Sequence, residues 1–456
     1  MTTHHLDWTH AYSARLQGKS AAGSRGAARL GRVAASFAAD VKAGRLPYLT
    51  MPYRAELEKE LPAVLDRLRS CKHMLLLGIG GSALGARALQ KAFYPAQDRP
   101  GCTGRCLWIA DNIDPDTLGV WLNTLPLKET ALVVISKSGG TVETMAQYFL
   151  VRRRLQKELG AAWKEHVVLV TDANAGELRA EARNEAMCSL PVPEYLGGRY
   201  SVLSAVGLLP AGFLGINTKA LLDGAASVAA PLLVSESAVR DALAAHPARH
   251  LAVWAEELTA HSYSELIFFS YIPLWNYFGA WFSQLWAESL GKDGHGSMPV
   301  PAVGVTDQHS VNQMFLDGPR NKGCLFLTCD TLPKGEVFGE AAPEKWSRLR
   351  DKHFGDLLQA EALGTRMALH KSGVPLVHVD MHATDEHAAG KLMGLCMTAT
   401  ILTGLIMDIN PVDQPAVELG KRLADARLGA PGLLQEQQEL EAFTATAGNP
   451  AYRQQF

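Results

Sequence analysis

Four short apolar runs, each closing on glycine or polar residues, constrain this chain more than any other feature. They are Met74 to Ile79, Arg105 to Ala110, Ala131 to Ile135 and His166 to Thr171. The first ends in glycines and the second at Asp111-Asn112; the third ends at Ser136-Lys-Ser-Gly-Gly140 and the fourth at Asp172, with helical stretches between them. Continuous apolar strands alternating with helices form a parallel sheet covered on both faces. The crossovers of such a sheet are right-handed, and ligands bind beyond the carboxyl ends of its strands. Every one of these clusters falls there.

A second series follows a helical bridge over about 218–258, with strands expected at Leu266 to Tyr271, Ala302 to Val305, Cys324 to Cys329 and Pro375 to Val379. The expected fold is therefore α/β: two αβα sandwiches with parallel sheets, plus helical N- and C-terminal segments. The division expected is 1–50, a helical N-terminal segment; 51–217 and 218–430, the two sandwiches; and 431–456, a C-terminal helix and tail.

Composition removes several classes of function. Of 456 residues, 44 are Lys or Arg and 46 Asp or Glu, a net charge of −2. That balance lacks the basic footprint of a nucleic-acid binder. Seven scattered cysteines with no C-x-x-C pair suit free thiols in a reducing cytoplasm. Cys102 and Cys106 have ligand-like spacing but no second pair to complete a site, so no metal is expected. Val202 to Ile216 and Leu392 to Ile409 are apolar enough to suggest membrane spans. The first is short and broken by Pro210, the second carries threonines and Asp408, and both read as buried helices. No membrane partner is expected.

The clusters themselves carry chemistry of different weight. Gly78-Ile-Gly-Gly-Ser-Ala83 meets the loose dinucleotide pattern G-x-G-x-x-A, but Asp111 comes later than the acidic residue that pattern expects. A glycine turn before a helix is equally a cradle for an anion or a hydroxyl. Ser136-Lys-Ser-Gly-Gly-Thr-Val-Glu-Thr144 says more, because it adds hydroxyls at 136, 138, 141 and 144 to a helix N-terminus. Hydroxyls, amides and a positive dipole end suit a phosphate monoester, whereas ordinary N-capping uses one hydroxyl rather than four. Gly18-Lys-Ser20 lacks the glycine of a nucleotide P-loop, since position 13 is Ser13.

Three further residues stand out. Arg199, in Leu196-Gly-Gly-Arg-Tyr-Ser201, sits among glycines that let a ligand approach the backbone. Glu288 occupies the last turn of a strongly apolar helix, one turn after Gln284, where the dipole disfavours a carboxylate. An apolar, dipole-opposed site would raise its proton affinity and suit a general base. His309, in Thr306-Asp-Gln-His-Ser310, is expected in a first helical turn, whose dipole keeps imidazole neutral. Lys421, in Glu418-Leu-Gly-Lys421, is by itself a solvated helical lysine.

Taken in order, these segments resemble the glucose-6-phosphate isomerase (phosphoglucose isomerase) family over roughly residues 70–425. The matched segments are Gly80-Gly-Ser82, Ser136-Lys137, Leu196 to Ser201, Ala287-Glu-Ser-Leu-Gly-Lys292, Gln308-His-Ser310 and Glu418 to Lys421. The resemblance implies two sandwiches of the sugar isomerase type in a homodimer. It implies an enzyme of glycolysis and gluconeogenesis that interconverts glucose 6-phosphate and fructose 6-phosphate with no cofactor. It further implies that Glu288 shuttles a proton through a cis-enediol, that His309 and Lys421 assist ring opening, and that Arg199 stabilises the enediolate. Ser136, Lys137, Ser138 and Thr141 would hold the phosphate, with Gly81, Ser82 and Gln284 on the sugar. Gly139-Gly140 departs from members with a bulkier residue or a threonine there. Two rivals are a sugar-phosphate sensor, which needs no base at 288, and an NAD-dependent dehydrogenase, which leaves Arg199, Glu288 and Lys421 unexplained.

Overall fold

The computed structural model describes residues 3–12, 16, 25–446 and 453. Its strands are β1 (His5–Asp7), β2 (His73–Leu77), β3 (Cys106–Ala110), β4 (Thr130–Ile135), β5 (Val167–Asp172), β6 (Cys188–Val192), β7 (Glu265–Ser270), β8 (Met298–Val303), β9 (Lys322–Cys329) and β10 (Leu376–Met381). They build two five-stranded sheets, ordered β3-β2-β4-β5-β6 and β8-β7-β9-β10-β1. Every pairing is parallel except that of β1, which runs antiparallel to β10 with His5 opposite Asp380 and Asp7 opposite His378.

The central strands carry no polar alternation because helices cover both faces. All of β4 and all of β9 are buried. Alternate residues divide between two environments: Leu76 and Val133 of the first sheet join Leu325 and Leu327 of the second in one continuous core. Leu75, Leu132 and Val134 face a separate outer cluster, as do Ile267, Phe269 and Phe326 on the second sheet.

Two strands depart from the expected reading, and proline explains both. β6 contains Pro191 and β8 contains Pro299 and Pro301. Proline argues against a strand from sequence, yet each of these lies at a sheet edge, where a missing N–H costs no ladder bond. The N-terminal segment also differs. It opens with β1 before the helix Arg25–Lys42, because three extended residues complete the edge of the second sheet.

The helix Glu386–Ile406 is long and apolar enough to cross a membrane by composition. In the fold it is a core helix, with Met393, Met397, Ile401 and Leu402 buried in the shared cluster. By contact density the chain forms two compact units, Met1–Pro411 and Val412–Phe456. The second contains the helices Glu418–Arg427 and Leu434–Thr446, joined by an Arg422–Glu436 ion pair.

Candidate active site

The chain leaves β2, forms the neighbouring strand β3, and returns on the other side as β4. Such a reversal opens a crevice at the carboxyl ends of the two central strands, here β2 and β4. The loops at that crevice are Gly78–Ser82 and Ser136–Thr141, the two richest in glycine and hydroxyls. Gly80–Ser82 forms a 3₁₀ turn in which Gly80 has φ +58°. A Cβ on Gly80 would stand 2.7 Å from the Gln284 amide nitrogen, and one on Gly81 would overlap the Gly198 backbone. Glycine at these positions lets the loop after β2, the turn after β6 and the helix after β7 meet without side chains between them.

Arg199 lies in the 3₁₀ turn Gly198–Leu203 and is buried, with 2% of its surface exposed. Its Nε donates to Ser289 Oγ at 2.7 Å and one Nη donates to the Pro411 carbonyl at 2.8 Å. The other Nη reaches Glu288 Oε2 at 3.3 Å, and the guanidinium sits over the Tyr200 ring. Tyr200 closes the same network, its hydroxyl 2.9 Å from Ser289 Oγ and 3.2 Å from the Pro411 carbonyl. A surface arginine on a loop is thereby excluded. This one is a cation held in fixed orientation in a low-dielectric site, where its field acts strongly.

Glu288 lies in the last turn of the helix Phe278–Leu290, as its sequence position implies. Its surroundings differ from the apolar, uncompensated ones expected. The carboxylate is 30% exposed, accepts the Gln284 amide at 2.7 Å and faces Arg199. Tertiary structure supplied what the helix alone denies it: a cation and an amide donor beside the carboxylate. Gln284, one turn earlier, therefore touches both the Gly80 loop and the candidate base.

Around β4, Ser136 Oγ lies 3.0 Å from Thr141 Oγ1, and Ser138 Oγ is 3.5 Å from each. Thr141 occupies the N-cap position of the helix Val142–Leu159 but makes no capping bond, so N-capping does not account for it. The Gly139 and Gly140 amides donate to Ser136 Oγ and Ser138 Oγ at 3.2 and 3.3 Å. Three hydroxyls and two amides thus converge at a helix N-terminus, the arrangement a dianion needs. Thr144 does not join them: its hydroxyl is buried without a partner one turn into the helix. Lys137 is tied to the Glu194 carbonyl, and burial lowers its pKa from the ordinary lysine value. Gly139 has φ +69°, and a Cβ there would stand 2.8 Å from the Leu178 nitrogen. Backbone packing therefore requires glycine at 139, whatever relatives carry there.

His309 and Lys421 have different surroundings. His309 is exposed on the short helix Thr306–Ser310, as its fourth residue. With only one turn and the histidine at its end, the dipole argument made from sequence does not hold. Lys421 lies on the helix Glu418–Arg427 of the second unit, exposed, its ammonium 2.7 Å from Glu418. Sequence reasoning missed Ser289, Tyr200 and the carbonyls of Pro411 and Glu194. A backbone carbonyl leaves no trace in a sequence, and Ser289 was visible only as the neighbour of Glu288.

Among the described residues, no group of three or more His, Cys, Asp or Glu side chains is arranged to hold a metal ion. Asp111, the acidic residue nearest to a dinucleotide's requirement, is engaged by Arg87 through Nε and Nη at 3.1 and 2.9 Å.

The phosphoglucose isomerase family model matches residues 66–329. The glucose-6-phosphate isomerase of Rubrobacter xylanophilus is 37% identical over 85% of this chain and 89% of its own length. A glucose-6-phosphate isomerase of Thermus thermophilus is 35% identical, covering 84% and 90%. Among solved structures, a hypothetical protein from Thermus thermophilus superposes with a TM-score of 0.80 at 30% identity, covering 93% of this chain and all of that one. A glucose-6-phosphate isomerase from Chlamydia trachomatis shares the fold, with a TM-score of 0.70 at 22% identity over 85% of this chain and 76% of that one.

Proposed function

The chain belongs to the phosphoglucose isomerase family and interconverts D-glucose 6-phosphate and D-fructose 6-phosphate, and on that premise we propose that Glu288 is the base and that no metal or nicotinamide takes part. The observation that carries the reading is the placement of the Glu288 carboxylate between the Gln284 amide and the buried Arg199 guanidinium, at 2.7 and 3.3 Å. Moving a proton between adjacent carbons needs one base and one cation facing the oxygen that becomes anionic.

In this reading Ser136, Lys137, Ser138 and Thr141 hold the substrate phosphate, while Gly81, Ser82 and Gln284 orient the sugar. His309 and Lys421 open the ring by moving a proton between the ring oxygen and O1. Glu288 takes the proton from C2 as negative charge grows on the carbonyl oxygen, where Arg199 stabilises it. In the resulting cis-enediolate the O2 hydroxyl proton passes to O1 while C1 takes the proton back from Glu288, which yields the ketose. Proton and electron pair both remain within the substrate and the base, so no redox cofactor is consumed. Free thiols at all seven cysteines suit a cytoplasmic setting. The family resemblance supports a homodimer, which a sedimentation mass of twice the chain mass tests.

The test follows fructose 6-phosphate formation from glucose 6-phosphate with no added nucleotide or metal, with and without chelator. Equal rates are expected. A rate that vanishes in chelator and returns with a divalent ion, or one that requires NAD, contradicts the reading.

A further inference from the structure

The fold carries His309 on a helix of only five residues, Thr306–Ser310. A helix so short has no stability of its own, because nucleation is unfavourable, so tertiary bonds must hold it. Asp307 adds only local ones, its carboxylate accepting the Val303 N–H at 2.7 Å and the Ser310 hydroxyl at 2.9 Å. Gln308 supplies the tertiary ones. Its Oε1 lies 2.5 Å from the Tyr271 hydroxyl and accepts from Thr365 at 3.0 Å, while its Nε2 donates to Glu361 Oε2 at 2.7 Å.

Tyr271 and Thr365 are buried, their hydroxyls 2.8 Å apart. The Tyr271 ring stacks on Phe326 and lies so close to Gly304 that a Cβ there would overlap it. Thr365 and Glu361 both stand on the 18-residue helix Phe354–Lys371. The Gln308 amide therefore bridges the end of β7 and a long helix, with both of its ends used. Successive residues on a helix differ by about 100° in azimuth. Anchoring Gln308 inward thus sets the direction in which His309 faces outward.

From this geometry we infer that Gln308 is a positioning residue for ring opening, holding His309 in register through the Tyr271–Gln308–Glu361 bridge. The inference rests on the ring-opening role proposed for His309.

The test compares two substrates: glucose 6-phosphate, which is cyclic, and D-erythrose 4-phosphate, whose only ring-closing hydroxyl carries the phosphate. Gln308→Leu should lower kcat on the cyclic sugar by about 10²-fold, the scale of a small misplacement of a reacting group. KM should change little, and exchange of the C2 hydrogen of the open-chain sugar should stay near wild type. Gln308→Glu should be impaired at neutral pH, where the new carboxylate opposes Glu361, and recover as the pH is lowered and the two share a proton. Combining Gln308→Glu with Glu361→Gln restores an amide–carboxylate pair and should restore neutral-pH turnover. An unchanged ratio between the two substrates in Gln308→Leu overturns the inference, as does a double variant no better than Gln308→Glu. The His309→Ala enzyme separates the two levels. If it too damages both substrates equally, the ring-opening role has failed; if it spares the open-chain sugar while Gln308→Leu does not, only the positioning claim has.

Discussion

The two sheets share the order of four parallel strands, β3-β2-β4-β5 and β8-β7-β9-β10, and differ in what stands at their carboxyl ends. β2 and β4 open onto the glycine turn Gly80–Ser82 and the hydroxyl loop Ser136–Thr141. Their counterparts β7 and β9 open onto a cavity of ≈ 560 Å³ whose walls include Ile272, Leu274, Trp275, Val305, Leu332 and Phe354. The same topological reversal produces both crevices, but the first is lined by a cluster of three hydroxyls, Ser136, Ser138 and Thr141, where the walls of the second are mostly apolar. In the proposed reading the second sandwich contributes through its helices instead: Gln284 and Glu288 follow β7, and His309 follows β8. Topology supplies a place for a site, and side chains decide what the place does. The division this reading implies is between phosphate and base: the first sandwich holds the phosphate and carries Arg199, and the second carries the base Glu288.

Variants at the base should then strike turnover, and variants in the phosphate loop should strike affinity. Glu288→Gln is the strongest test. It keeps shape but cannot accept a proton, so kcat should fall by about 10²–10⁴ and solvent exchange of the C2 hydrogen should stop. Binding of a phosphorylated inhibitor should persist. A dipole-opposed carboxylate considered by itself would be removed with stability held or raised. With buried Arg199 facing it, the melting temperature should instead fall slightly. Near-normal exchange would leave the reaction without its base.

Replacing Ser136 and Thr141 together by Ala removes two hydrogen bonds to an anion, each worth roughly 1.5–3 kcal/mol. Inhibitor affinity, measured by calorimetry, should weaken by at least about tenfold, with kcat less affected. Unchanged affinity would move the phosphate to the Gly78–Ser82 loop and erase the contrast between the two crevices.

A smaller effect belongs to β10, next to the edge strand β1 of the second sheet, where no chemistry is expected. Burial, with the Arg366 guanidinium alongside, holds the His378 imidazole down at about 4, against the pull of Asp380 and Asp7. In an unfolded chain it titrates at about 6.5. Between these values the unfolded state binds a proton the folded state refuses, so stability rises with pH across the window and falls as pH drops from 6.5 toward 4. Melting temperatures over that range should lose part of their pH slope in His378→Gln, while activity at neutral pH is retained. An identical slope would mean that other groups carry the acid sensitivity.

Much of the fold was legible because buried parallel strands announce themselves as unbroken apolar runs. The β4 and β9 segments are such runs, and their ends located the loops. The strands that escaped or were clipped, β6 and β8, contain prolines whose tolerance depends on being at an edge. That is a property of the assembled sheet and not of the segment. β1 escaped because three residues carry too little pattern to read.

For the site, the residue types at 136, 138, 141, 199 and 288 were set by sequence, and local rules placed each at a strand end or helix end. Tertiary structure alone decided their company. Residues 199 and 288 are 89 positions apart, and no local rule brings Arg199 to Glu288 or buries its guanidinium against Ser289 and the Pro411 carbonyl. Such contacts join segments distant in the chain, and their geometry exists only after two separately readable sandwiches have packed around one core. Local sequence encodes propensity and periodicity; the field at a carboxylate depends on distances that only the packed chain possesses.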